Sequence, residues 1–251
     1  MRIFGLIGYP LEHSFSASYF AGKFKNEGIG DAEYRNFPLE NISILPDLVN
    51  REKELLGLNI TIPYKEKVLD FIHEVDKTAM EIGAANTLKI NRSPSGEVNL
   101  KAFNTDAWGF LSSLREFSLR NVTKALVLGS GGASKAVIYS LESIGIHPFI
   151  VSRNPVSADY NYEELNRQII EDHLLIVNTT PLGTFPNISE APLIPYQFLT
   201  PQHIVHDLVY NPSETLFMKK AKEKGASVKN GFQMLVEQAE KSWDIWNNEK
   251  L

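Results

Sequence analysis

An α/β fold with mainly parallel sheets, divided into two parts, is what this sequence predicts, and three observations predict it. Short apolar runs alternate along the chain with amphipathic helical patterns, and that β-α-β order favours parallel strands covered by helices. A glycine-rich turn at Gly129, Gly131 and Gly132 joins one such run, Ala125–Leu128, to a helical pattern with Ala136, Val137, Ile138 and Leu141 on it. The length, 251 residues, leaves room for two domains of ordinary size.

Taken in order, Ile3–Ile7 reads as a strand and Ser16–Asn26 as a helix. Tyr34–Leu39 and Leu58–Ile62 read as strands with a polar helical stretch between them. Tyr64–Ile72 and Val75–Ile82 read as short helices. Ala85–Ile90 and Val98–Phe103 form two strands joined by the turn-rich Asn91–Gly96, and Asp106–Phe117 reads as a helix. After the glycine turn come a strand at Phe149–Val151, a helix at Glu163–Ile170, and strands at Leu174–Val177 and Ile204–Leu208. A helix at Ser213–Lys224, a short strand at Val228 and a closing helix at Phe232–Trp246 complete the set. The polar segment Arg115–Lys124 is the expected boundary between the two parts.

Composition narrows the function. The formal net charge is −5, with 43% hydrophobic and 22% charged residues. Such a balance gives no support for a nucleic-acid or membrane-surface binder. No cysteine is present, so disulfides, thiol nucleophiles and cysteine metal sites are excluded. The six histidines form no metal-binding spacing, and no metal is expected. The opening MRIFGLIGYP breaks too early for a secretory leader, and no segment is long and apolar enough to cross a bilayer. A cytoplasmic protein is expected. Trp243 and Trp246, with Phe232 and Leu235, read as helix core. Ser14 and Ser16 lack the elbow of a hydrolase nucleophile.

The glycine turn has two readings: a tight strand–helix turn with no ligand, or a cradle for a pyrophosphate. In the second, backbone N–H groups approach the phosphates and the helix N-terminus stabilises their charge. The third glycine of the usual pattern is replaced by Ser134. An acidic residue after the next strand would select NAD. Here that strand ends in Ser152-Arg153-Asn154, with no carboxylate. A guanidinium suits a 2′-phosphate, so NADP is expected if Arg153 is more than a solvated loop residue.

Polar residues also gather where strands of the first half should end: His13-Ser14-Phe15-Ser16, Asn59-x-Thr61-x-Pro63-x-Lys65, Asn86-Thr87 and Asn104-Thr105-Asp106. Singly, each reads as capping, with Asp106 and Ser16 as N-caps, and Lys65 reads as one charge of a solvated run. Together they supply hydroxyls, amides, an ammonium and a carboxylate, a set suited to a polyhydroxylated acid.

At these motifs the chain resembles the shikimate dehydrogenases. GYPLEHSFS, NITIPYKEKV, GAANTL, NTDAWGF, VLGSGGASKAV, NTTPLG, DLVYNPSETLF and NGFQMLVEQA follow in the family's order over residues 5–246. The resemblance implies reduction of 3-dehydroshikimate to shikimate with NADPH, in aromatic amino acid biosynthesis. It implies Ser14 and Ser16 on the substrate carboxylate, Thr61, Asn86 and Asp106 on the ring hydroxyls, and Asn59 lining the same pocket. Lys65 and Asp106 would be the catalytic pair, with Tyr210 and Gln238 closing over the substrate. Gly129, Gly131, Gly132, Ala133, Ser152, Arg153 and Asn154 would hold the nucleotide, with Leu208 and Gly231 near the nicotinamide. A lysine ammonium can stabilise and protonate the alkoxide that hydride transfer leaves on a ketone.

The expected division is a substrate-binding catalytic domain, 1–104, completed by the closing helix 232–251. A Rossmann-like NADP-binding domain covers 105–231, with the active site in the cleft between the two. A small-molecule substrate is the expected partner, with the chain a monomer or a homodimer. The sequence departs from the family at Ala17, where proline is usual, at Phe20, where histidine is common, and at Ser152-Arg153-Asn154, where Asn-Arg-Thr is frequent. Two alternatives remain open: a quinate/shikimate dehydrogenase of broader specificity, and a non-catalytic metabolite sensor. Intact Lys65 and Asp106 favour an enzyme.

Overall fold

The computed structural model describes residues 1–11, 15–154, 156 and 158–248. The chain forms two compact units, one of Met1–Thr105 with the chain from Gln238 onward, the other of Asp106–Glu237.

The first unit holds a six-stranded sheet. Its strands are β1 (Arg2–Gly8), β2 (Ala32–Pro38), β3 (Leu55–Ile60), β4 (Glu74–Val75), β5 (Thr87–Arg92) and β6 (Val98–Phe103), in the order β2-β1-β3-β5-β6-β4. β2, β1 and β3 run parallel, β5 is antiparallel to both β3 and β6, and β4 is parallel to β6. All of β1 after Arg2 is buried, as the continuous apolar run of a strand covered on both faces should be. Helices α1 (Phe15–Asn26), α2 (Leu45–Arg51) and α3 (Lys77–Ile82) connect the strands. The last turns of the closing helix, Phe232–Asn247, belong to this unit too. Trp246 stacks on Phe4 at 4.9 Å and donates its indole N–H to Leu88 O at 2.9 Å. A buried indole needs that acceptor, so Trp246 is core, and Trp243 packs partly buried against the same cluster, as expected. Phe232, expected in the core with them, is instead 50% exposed, because the first turn of the helix turns it to solvent.

The second unit is a five-stranded, wholly parallel sheet: β7 (Lys124–Leu128), β8 (His147–Val151), β9 (Leu175–Asn178), β10 (Ile204–Asp207) and β11 (Ser227–Lys229). The order β11-β10-β9-β7-β8 reverses between β7 and β9. That point is the topological switch at which open α/β sheets bind ligands. The helices are α4 (Asp106–Leu114), α5 (Gly132–Ser143), α6 (Arg167–Asp172) and α7 (Leu216–Lys222), and the closing helix becomes α8. No helix among the described residues is long and apolar enough to cross a membrane.

Several boundaries differ from the sequence expectation, and side-chain caps account for most of them. Asp76 accepts from Thr78 N at 2.9 Å, so α3 starts after it and Val75 is left to pair with Ala102. Asn166 caps α6 and Thr215 caps α7, which start later than Glu163 and Ser213. Tyr64–Ile72 is a set of turns with a 3-10 segment at Lys67–Phe71, so Lys65 lies in a turn. Ser16 lies inside the first turn of α1 rather than at its N-cap, and Asp106 is the first residue of α4. The segment 115–124 lies within the second unit. Phe110 and Leu114 of α4 pack with Val127, Val137 and Leu141, which ties α4 to that unit's core and moves the break to Thr105–Asp106.

Candidate functional site

The first unit gathers its polar residues by topology. Because β5 is antiparallel to β3 and β6, the end of β3, the start of β5 and the end of β6 meet: Asn59 pairs in register with Thr87, and Thr87 with Phe103. Thr105 follows β6 directly, and α8 brings Gln238 and Ser242 over the same place.

The hydrogen bonds there fix each amide. Asn59 Nδ2 donates to Asn86 O at 3.3 Å and to Ser242 Oγ at 2.9 Å. A main-chain carbonyl only accepts, so Asn59 Oδ1 faces the other way, toward the Tyr34 hydroxyl at 2.8 Å. Tyr34 is also bonded to Ser16, and burial pushes its phenol well above the ordinary range. Thr105 N donates to Asn86 Oδ1 at 2.6 Å, which turns Asn86 Nδ2 to Thr105 Oγ1 at 2.9 Å and Gln238 Oε1 at 3.2 Å. Ser242 Oγ lies 2.7 Å from Thr87 Oγ1. Asn59, Asn86 and Gln238 are 4%, 2% and 7% exposed, so this set is held by the protein before any ligand arrives.

Thr61 and Lys65 are placed by main-chain bonds. Thr61 N donates to Ile7 O at 2.9 Å, and Ala85 N donates to Lys65 O at 2.7 Å, one residue before Asn86. Both side chains are partly exposed. The structure thus brings Ser16, Asn59, Asn86 and Gln238 into one hydrogen-bonded chain and puts Thr61 and Lys65 on the segments beside it. Ser14, with His13, lies outside the described residues. Tyr34, Thr87, Thr105 and Ser242 are the members that motif reasoning did not name as site residues. Ser242 was within reach: it stands one helical turn beyond Gln238, on the same face.

The second unit builds its half from backbone. Gly129 has φ +109°, a conformation that a side chain resists, and a Cβ there would lie 2.9 Å from Thr179 Oγ1. Gly131 is the N-cap of α5 and offers no capping side chain. A Cβ on Gly131 would meet nothing within 4 Å. The first turn of a twelve-residue helix therefore opens onto clear space, the geometry that an anion takes up. Ser130 Oγ lies 3.1 Å from Ser152 Oγ, tying the turn to the end of β8, and Asn154 N donates to Ser152 Oγ at 3.2 Å. Arg153 is exposed and has no ion-pair partner among the described residues. Gly132 and Ala133 open α5.

Leu208 and Gly231 are in direct contact. Gly231 N donates to Val209 O at 3.1 Å, and a Cβ on Gly231 would lie 2.0 Å from Leu208 O, so only glycine fits. Tyr210 follows, 38% exposed. Lys65 belongs to the first unit, and Asp106 and Tyr210 belong to the second. Among the described residues no group of three or more His, Asp or Glu is placed to hold a metal.

A doubly wound parallel sheet with an open glycine turn at its switch point defines the second unit as a dinucleotide-binding type, joined to an α/β unit with a buried polar cluster. Comparison with known proteins gives the family. Residues 6–88 match the family model described as the shikimate dehydrogenase substrate binding domain. The NADP-dependent shikimate dehydrogenase of Halothermothrix orenii is 36% identical, over 99% of this chain and 92% of its own. A chorismate mutase/shikimate 5-dehydrogenase fusion protein from Clostridium acetobutylicum is 36% identical with TM-score 0.86, covering 98% of this chain and 91% of that one. Shikimate 5-dehydrogenase from Thermus thermophilus, crystallised with NADP(H) and shikimate, is 31% identical with TM-score 0.82, covering 98% and 94%. The chain belongs to the shikimate dehydrogenase family.

Proposed function

We propose that this chain catalyses the reversible NADPH-dependent reduction of 3-dehydroshikimate to shikimate, a step of aromatic amino acid (chorismate) biosynthesis, in the cytoplasm. The near full-length likeness to shikimate dehydrogenases, one of them crystallised with NADP(H) and shikimate, carries this reading. The first unit, completed by α8, is the substrate-binding catalytic domain, and the second holds NADP.

The donor set suits the cofactor. Gly129, Gly131, Gly132 and Ala133 would hold its pyrophosphate, Ser152, Arg153 and Asn154 its 2′-phosphate, and Leu208 and Gly231 would border its nicotinamide. The exposed guanidinium of Arg153 matches a phosphate, not a ribose hydroxyl. When bound, NADPH supplies the hydride.

The chain's own residues do the rest. Ser14 and Ser16 bind the substrate carboxylate, and Thr61, Asn86 and Asp106 its ring hydroxyls, with Asn59 keeping the pocket in shape. Gln238 already presents its oxygen to Asn86, so its NH2 points away as a donor. Tyr210 closes over the substrate. Lys65 holds its ammonium at the ketone oxygen and gives up a proton as negative charge develops there. Asp106 orients the neighbouring hydroxyl and completes the proton-transfer pair.

A steady-state assay tests this: shikimate with NADP, then quinate with NAD. The expected result is turnover with the first pair and kcat/KM for NADP at least about 100-fold above NAD, as the loss of a bidentate phosphate contact implies. Equal use of the two nucleotides overturns the cofactor assignment. Preference for quinate overturns the substrate, and binding without turnover marks a sensor.

A further inference from the structure

A buried carboxylate closes the C-terminal end of β10. Asp207 has no exposed surface. Its Oδ1 accepts from Asn178 Nδ2 at 2.9 Å and from Val209 N at 3.1 Å, and its Oδ2 accepts from Thr215 Oγ1 at 2.6 Å. The three donors belong to the end of β9, the turn after β10 and the N-cap of α7. Thr215 in turn accepts from Met218 N at 3.3 Å. Only a carboxylate can accept from all three at once, since an amide would turn its NH2 on one of the donors. The turn it fixes, Leu208–Val209, is the one whose carbonyls lie against Gly231.

We propose that Asp207 is a positioning residue for the nicotinamide end of the cofactor: its carboxylate clamps the Leu208–Val209 turn onto Gly231 and so sets the wall beside the reacting ring. This rests on the NADPH-dependent reading above.

The protonation of Asp207 supplies a readout. Burial pushes its carboxyl up to about 6, against the opposite pull of its three hydrogen bonds. The titratable group facing it is the Tyr196 phenol, held above its ordinary value by burial and by Asp207 itself. His206, the next residue on β10, is pushed down to about 3 by burial and stays neutral near pH 6. Below about pH 6 Asp207 takes a proton, the Thr215 hydroxyl has to turn to accept it, the remaining bonds lose their charge assistance, and the clamp loosens.

The experiment titrates the full chain with NADPH and NADH by nicotinamide fluorescence between about pH 5 and 8. NADH is essential because the 2′-phosphate of NADPH itself titrates near pH 6. The expected result is that Kd for NADH rises about tenfold on acidification, with a midpoint near 6, as the loss of a charge-assisted hydrogen bond implies. Asp207→Asn is expected to bind NADH about tenfold more weakly at pH 8 with no remaining pH dependence, while KM for shikimate stays within about twofold. NADH binding by the wild type that ignores pH overturns the proposal, and this arm needs no variant to fold. So does an Asp207→Asn protein that melts earlier yet binds NADH normally, since that result marks a scaffold role alone. A chain that shows the stated NADH titration but leaves shikimate untouched overturns the shikimate reading and leaves Asp207 in place. A chain that binds neither dinucleotide overturns both.

Discussion

The two units prepare a ligand site in opposite ways. The first fills its site with side chains and saturates them: Asn59, Asn86, Thr87, Thr105 and Ser242 bond one another and are nearly inaccessible to water. The second strips its site to backbone: Gly129 and Gly131 leave a helix N-terminus bare, and Arg153 stands exposed without an ion-pair partner among the described residues. A substrate that differs from its rivals by single hydroxyls calls for fixed donors and acceptors, since an unpaired buried group costs ~1–3 kcal/mol. A pyrophosphate carries its own charge and asks only for amides and room. Perturbing the hydrogen-bonded cluster of the first unit should therefore cost stability as well as function, and perturbing the open positions of the second, Gly131 and Arg153, should cost chiefly cofactor affinity.

The largest expected effect is that of Lys65→Ala. It should lower kcat about 10²–10⁴-fold, the usual reach of a positioned proton donor, and leave KM for shikimate nearly unchanged. Near-normal turnover would sink the assignment. Arg153→Ala should raise KM for NADPH about 10–100-fold and leave NADH and shikimate alone. An equal loss with NADH would mean that Arg153 never meets a 2′-phosphate.

The sharpest comparison pairs two small changes. Ser242→Ala removes a hydroxyl that Asn59 and Thr87 both use. It should cost ~1–3 kcal/mol, lowering Tm by several degrees, and raise KM for shikimate. Gly131→Ala places a methyl in open space, so stability should fall by no more than ~1 kcal/mol, the scale of a changed N-cap. KM for NADPH should nonetheless rise, because the methyl stands where phosphate approaches. Thermal melts and initial rates on the same preparations decide it. If Ser242→Ala leaves Tm unmoved, or Gly131→Ala unfolds the protein, the contrast between the units fails.

Much of this was legible in the chain. The apolar runs located ten of the eleven strands to within a few residues, because strands buried on both faces leave an unmistakable pattern. The glycine turn and Arg153 were read from the residues, and the grouping of Asn59, Asn86 and Gln238 followed from the resemblance to the shikimate dehydrogenases. The two-residue β4 did not, since Glu74 and Val75 make no pattern of their own and pair only because β6 lies beside them. The polar caps Asp76, Asn166 and Thr215 were visible as residue types, but each competes with neighbours equally able to cap. Tyr34 and Ser242 looked like an ordinary strand aromatic and an ordinary helix serine.

By itself the sequence determined the α/β class, the parallel β-α-β order, the family and the residues with chemistry to offer, because these follow from local periodicity and from motifs of contiguous residues. Only the tertiary structure decided which way each amide points, why Gly231 admits no side chain against Leu208, and that Asp207 is buried with three donors. Those facts depend on which strand ends meet. Hydrogen-bond direction is set by partners distant in the chain, and a sequence does not show them.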